Sequence, residues 1–212
     1  MFMGAVTRDG LDIARRSREI VRKKIRELLG RDIERYSQWE MRIIERVVHA
    51  TADVEYAKLL RFKDNPIERG IEGIKEECPI VVDVEMVKVG IRYRNTLSFI
   101  DDRRVYKIAR EEGITRAAAA MRVAKPYIHR GIVVVGNAPT ALSEVVRLIE
   151  EEGIKPRVVI GVPVGFVKAS ESKELLRSID VPSITTEGPK GGTPVAVSIV
   201  NGIVELSRGR EV

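Results

Sequence analysis

Apolar residues recur at helical spacing through the first quarter of the chain. After that, short apolar runs of strand length alternate with helical stretches. Residues 8–29 place Leu11, Ile13, Ala14, Ile20, Val21, Ile25, Leu28 and Leu29 on one broad stripe, which predicts a helix that Asp9 can cap and Gly30 closes. Residues 37–53 start with Ser37 and Glu40 at the spacing of a capping box. Met41, Ile44, Val47 and Val48 then make an apolar face that ends at His49, followed by the small or polar Ala50, Thr51, Ala52 and Asp53. A short strand is expected over 59–62 (LLRF), and Asn65-Pro66 opens a helix over 66–77. The near-continuous apolar run 79–84 (PIVVDV) reads as a strand covered on both faces, as in a parallel sheet. Residues 97–100 form a weaker strand, and 103–112 and 115–124 are helices, the second rich in alanine.

The last third repeats one unit three times. Strand 131–135 runs into a Gly136-Asn137-Ala138-Pro139-Thr140 turn and a helix to Glu152. Strand 157–160 runs into a turn holding Gly161, Gly165 and Lys168 and a helix to about Ile179. Strand 183–186 runs into a turn holding Lys190, Gly191 and Gly192 and a helix to Ser207. Consecutive strand–turn–helix units imply right-handed crossovers and a doubly wound, mainly parallel α/β sheet. With no linker composition and no repeat, residues 1–212 read as one domain with a helical N-terminal arm. In such a sheet ligands bind where the strand-to-helix turns gather, at the carboxyl ends of the strands. Glycine-rich turns at helix N-termini offer backbone N–H groups and suit anions. Glycines also serve simply to make tight turns, and Lys168 and Lys190 fit solvent exposure as well as a ligand.

Charge narrows the partner. The net charge is +6 and the aromatic content 5%, which sets a nucleic-acid binder against an enzyme for an anionic small molecule. Few aromatics leave few platforms for stacking bases. The dense cations of the first helix (Arg15, Arg16, Arg18, Arg22, Lys23, Lys24, Arg26) are interleaved with Asp12, Glu19 and Glu27, the pattern of a solvated face. No apolar run is long enough to span a bilayer and the N-terminus does not resemble a signal peptide, so a cytoplasmic protein with neither nucleic acid nor membrane as partner is expected. The one cysteine, Cys78, reads as a buried structural thiol. Two histidines eighty residues apart, and a single cysteine, supply no metal-ligand spacing, so no metal and no cofactor are expected. Abundant Lys, Arg and Glu with the one glutamine, Gln38, suggest a heat-adapted source.

Nucleotide and hydrolase motifs fail in detail. GPKGGT lacks the order of a phosphate loop, GVPVGF is not GxGxxG, and no GxSxG elbow exists. What remains is an anion-binding crevice and one candidate acid. His49, at the end of a buried helix, suits proton chemistry near neutral pH. By itself it fits packing or capping of the last carbonyls at least as well. His129, in a PYIHRG turn, reads as structural.

Six ordered segments carry a family likeness: IARRS at 13–17, VVHAT at 47–51, DVEMVKVGI at 83–91, GNAPTAL at 136–142, GVPVGFVKASESKE at 161–174 and KGGTPVAVSIVN at 190–201. Together they make the chain resemble, nearly end to end, the precorrin-8X methylmutases of corrin-ring (vitamin B12) biosynthesis. The resemblance implies a three-layer α/β/α, flavodoxin-like fold and a homodimer with its site near the subunit interface. It implies an isomerase that moves a methyl group from C11 to C12 of the macrocycle, giving hydrogenobyrinate, or cobyrinate when cobalt is already present. The family histidine falls on His49, as general acid, and a serine and an arginine of the site fall on Ser17 and Arg116. The substrate's many carboxylates would meet Arg116, Lys168, Lys190 and the amides of the three turns, around Gly136, Asn137, Gly161, Gly165, Gly191 and Gly192. Two other readings stay open: a non-catalytic corrinoid carrier on the same scaffold, and a basic nucleic-acid binder.

Overall fold

A computed structural model describes residues 7–209. α1 (Arg8–Leu29) is capped by Thr7, whose hydroxyl accepts from the Gly10 amide at 3.2 Å. Asp9, expected as the cap, lies in the first turn instead, where its charge complements the helix dipole. Gly30 ends the helix with φ +53°, and the chain tightens into a 3₁₀ turn over Gly30–Arg35 that the apolar pattern does not signal. α2 (Gln38–Thr51) has the expected capping box: the Ser37 hydroxyl accepts from the Glu40 amide at 3.2 Å, and the Glu40 carboxylate accepts from the Ser37 amide at 2.7 Å. There follow α3 (Tyr56–Leu59), β1 (Leu60–Lys63), α4 (Pro66–Lys75), β2 (Ile80–Val82), α5 (Glu85–Gly90), β3 (Thr96–Ser98), α6 (Arg103–Glu112) and α7 (Arg116–Ile128). The chain closes with β4 (Ile132–Val135), α8 (Pro139–Glu152), β5 (Val158–Gly161), α9 (Ala169–Ser178), β6 (Ser183–Thr186) and α10 (Thr193–Ser207).

Most departures from expectation are at boundaries. β3 starts one residue early because Thr96, Leu97 and Ser98 pair in register with the three residues of β2. α4 ends at Lys75, ahead of a left-handed Glu77. α7 runs past Ala124 and through Pro126 to Ile128. Ala124 and Ile128 are fully buried on one face, and burial of such a side chain offsets much of the roughly 3 kcal/mol that a helical proline costs. His129 caps that helix, and its Nδ1 accepts from the Lys155 amide at 3.3 Å, a structural role. Cys78 is half-buried rather than buried, and desolvation raises its thiol above the ordinary value.

The six strands lie in the order β1-β6-β5-β4-β2-β3, all parallel except β1, which joins β6 antiparallel. The five parallel strands have the flavodoxin-like order, and the winding reverses between β2 and β4. Strand side chains alternate between two cores. Ile80, Val82, Val134, Ile160 and Ile184 face α1, α2, α4, α5 and α10, whereas Val81, Val133, Val135 and Val159 face α6 to α9. That double coverage explains why these strands read as continuous apolar runs.

α10 is the buried bed on which α2 lies. A Cβ at Gly202 would stand 2.5 Å from Ile43 Cδ1, so the two helices cross in close contact. The half-buried Arg46 guanidinium ties them by an ion pair to Glu205 at 3.0 Å. The chain leaving α2 lies beside the turn that follows β6, where Asp53 holds Lys190 and the Tyr56 hydroxyl donates to the Gly191 carbonyl.

Candidate active site

His49 occupies the last full turn of α2, after Val47 and Val48 have committed the helix face to the core. The turn closes locally: the Thr51 hydroxyl donates to the Val47 carbonyl at 2.8 Å, and Ala52 turns the chain at φ +54°. α1 crosses this helix and is locked to it where Arg22 Nε donates to both oxygens of Glu45 at 2.9 and 3.0 Å. The lock sets Ser17 against the imidazole, with Ser17 Oγ 3.0 Å from His49 Nδ1. Both residues are half-buried and share a cleft of about 450 Å³ whose walls include Ile13, Ile20, Val48 and Val54. Arg16 and Lys24 of α1 also line it. With Nδ1 engaged, Nε2 is the nitrogen left for a ligand. Because a hydroxyl both donates and accepts, Ser17 keeps the ring oriented whether it is neutral or protonated. The arrangement is able to hold a proton inside a mostly apolar cleft; it does not activate Ser17 as part of a triad, since no carboxylate orients the ring among the described residues.

The remaining expected site residues are dispersed. Lys190 sits beside the cleft, but its ammonium is already held by Asp53 at 2.6 Å and by Glu55. Those hydrogen bonds raise it above its ordinary value and pull Asp53 below its own. Lys168, left-handed at φ +63°, is exposed at the start of α9 and pairs with no described acid. Arg116 begins α7, on the layer opposite α1 and α2, where Nη1 donates to the Tyr106 hydroxyl at 2.8 Å and the guanidinium lies 5.3 Å from that ring's centroid. One chain therefore unites Ser17 with His49 but not with Arg116.

Several amides of the glycine-rich turns are already engaged within the chain. The buried Asp83 carboxylate accepts from the amides of Gly136, Asn137 and Ala138 at 3.1, 2.8 and 2.8 Å. An internal anion thus occupies the place at the winding reversal where a ligand anion would sit. The Gly192 amide donates to the Val162 carbonyl at 2.8 Å and that of Gly165 to the Pro189 carbonyl at 3.1 Å, so two of the turns are stitched to each other. The Gly191 carbonyl accepts from the Tyr56 hydroxyl at 3.2 Å. Gly136 and Gly161 are close-packing positions, where a Cβ would meet Ala196 at 2.9 Å and Leu176 at 2.7 Å.

Two fully buried charges, Asp83 and Lys173, went unassigned in the sequence. Asp83 is raised above its ordinary value, burial outweighing its backbone donors. Lys173 has no exposed surface, and its ammonium donates to Thr186 Oγ1 at 3.1 Å and to the Lys190 carbonyl at 2.9 Å. Burial, with Arg177 adding like-charge repulsion, brings it down to about 8. A signal for Lys173 existed, since Ala169, Ser172, Lys173 and Leu176 share the buried face of α9. Asp83 gave none, because its donors are more than fifty residues away.

Residues 12–206 match the family model of precorrin-8X methylmutase. The chain belongs to the precorrin-8X methylmutase family. It is an isomerase. It is 63% identical to the cobalt-precorrin-8 methylmutase of Methanocaldococcus jannaschii over 209 residues, covering 99% of this chain and 100% of that one. It is 47% identical to the cobalt-precorrin-8 methylmutase of Methanothermobacter thermautotrophicus over 211 residues, covering 100% of both. A solved structure of the precorrin-8x methyl mutase of Thermus thermophilus aligns with TM-score 0.80 at 33% identity, covering 95% of this chain and 98% of that one. The solved methylmutase accounts for the fold, and the family model spans both Ser17 and His49. Among the described residues no helix is long and apolar enough to cross a membrane, and no cluster of His, Cys, Asp and Glu suits a metal ion.

Proposed function

We propose that the chain moves a methyl group from C11 to C12 of cobalt-precorrin-8, giving cobyrinate, with His49 as general acid. Metal-free precorrin-8X would give hydrogenobyrinate by the same step. The observation that carries this reading is the Ser17–His49 hydrogen bond at 3.0 Å in an open, mostly apolar cleft. Nε2 delivers a proton to the conjugated ring system of a macrocycle seated over the cleft. The cation so formed lowers the barrier to methyl migration, and the proton returns as product forms, so the net reaction is an isomerisation. Ser17 holds the imidazole through both protonation states. The cobalt-bearing substrate is favoured because the two relatives compared above, at 63% and 47% identity, are both cobalt-precorrin-8 methylmutases.

A homodimer completes the site in this reading. The cleft of one chain, at about 450 Å³, falls in the lower part of the range of sites that enclose drug-sized ligands, and a polycarboxylate macrocycle is a large ligand. Phe166 and Val167 are 98% and 76% exposed at the tip of the turn before α9, apolar surface that a second copy would cover. Arg116 then serves the cleft of the second copy rather than its own. Assaying cobalt-bearing and metal-free substrates side by side tests the proposal. Conversion of at least the cobalt form at unchanged mass, with the labelled methyl at C12, is expected. A substrate that binds and is recovered unrearranged would overturn it and leave a carrier.

A further inference from the structure

The basic stripe of α1 looks like a solvated face, and part of it is: Arg15 pairs with Asp12 at 2.9 Å, Arg22 with Glu45 at 2.9 Å, and Lys23 with Glu27 at 3.9 Å. Arg16 and Lys24 break the pattern. Both are exposed, both line the Ser17–His49 cleft, and neither pairs with a described acid. On the same wall stand Ile13, about one turn before Arg16, and Ile20, between the two cations, 69% and 55% exposed. Exposed apolar side chains beside two cations that pair with no described acid make an amphipathic strip. Of the other basic residues expected at the site, Lys190 is neutralised by Asp53 and Glu55, Arg116 lies on the other layer, and Lys168 does not line this cleft.

We infer that Arg16 and Lys24 are the residues of the His49 cleft that recognise the substrate's peripheral carboxylates, and so set its specificity for a polyanionic macrocycle. The inference rests on the cleft being a corrinoid site. The spacing suits the task. Eight residues of helix separate the two cations by about 12 Å along the axis, comparable with the spread of side chains around a tetrapyrrole-sized ring. Ile13 and Ile20 lie against the ring's apolar face, and Arg16 and Lys24 grip acid groups at either end. This fixes the macrocycle over His49 in one rotational setting. Arg16 can bind a carboxylate with two parallel hydrogen bonds, Lys24 with one ammonium point charge.

The test uses Arg16→Gln, Lys24→Gln and the double variant, with Lys23→Gln as a control of equal charge change outside the cleft. The expected result is a rise in KM of about three- to tenfold for each single change and more for the pair, the range for exposed charge-assisted contacts. KM should also rise with salt in the wild type and much less in the double variant, because exposed pairs are screened. A product corrinoid whose carboxylates have been converted to amides completes a cycle: it should bind the wild type more weakly than the acid, while the double variant should bind the two nearly alike. Wild-type KM and salt dependence in the double variant, alongside normal turnover by the wild type, would overturn the inference and leave the methylmutase reading standing. The same KM rise in Lys23→Gln would also overturn it, by assigning the effect to net charge. A wild type that binds no corrinoid would overturn both readings.

Discussion

Replacing Asp83 with asparagine separates shape from charge at the winding reversal of the sheet. The carboxylate accepts from three backbone amides, at 3.1, 2.8 and 2.8 Å, with no exposed surface. Asparagine keeps the volume, but one of its two terminal atoms is an NH₂ group, which then faces an amide that also donates. The variant loses at least one charge-assisted bond, worth about 1.5–3 kcal/mol, and leaves a buried donor unpaired at a cost of about 1–3 kcal/mol. Against this, asparagine escapes the burial cost that raises the Asp83 carboxyl. A net loss of about 2–4 kcal/mol follows, which for a domain of this size lowers Tm by roughly 5–15 °C. Urea unfolding with calorimetry measures it, and Asp83→Ala, which leaves all three amides unpaired, should lose more. An Asp83→Asn variant within about 1 kcal/mol of wild type would refute the reasoning. It would mean that water satisfies these amides and that the turn before α8 holds itself.

Ser17→Ala should lower kcat by about tenfold while changing stability by less than about 1 kcal/mol, because the bond at 3.0 Å orients a half-buried ring rather than filling the core; parallel kinetics and unfolding decide it, and an unchanged kcat would remove Ser17 from the mechanism. Lys173 sits at about 8, below its unfolded value. Between roughly pH 8 and 10 the unfolded chain therefore binds more protons than the folded one, so stability should rise with pH across that window, and the whole penalty is present below it. Wild type should gain up to about 3 kcal/mol over Lys173→Met between those limits in urea titrations at fixed pH, and equal slopes would contradict a charged, buried lysine.

What the sequence made legible was local. The capping box of Ser37 and Glu40, the alanines of α7 and the valine and isoleucine runs of β2, β4 and β5 each announce their element within a few residues. The pairing of β1 to β6, the grip of Asp83 on Gly136 to Ala138 and the stitching of Gly165 and Gly192 to neighbouring carbonyls join segments far apart in the chain, and no periodicity reports them. For that reason the glycine-rich turns looked like open anion sites when several of their amides were already satisfied. Arg16 and Lys24 were hidden differently. On a helix with so many cations, only the docked α2 distinguishes the stripe that lines a cleft from the stripe that faces water.

The claim that His49 delivers the proton is tested most directly by single-turnover conversion in a His49→Ala variant, with product binding measured on the same preparation. Binding should stay within a few fold of wild type, because the apolar walls and the cations of α1 remain, while the rate of methyl migration should fall by about 10²–10⁴. Migration at close to the wild-type rate, from a variant that binds normally, would contradict the account.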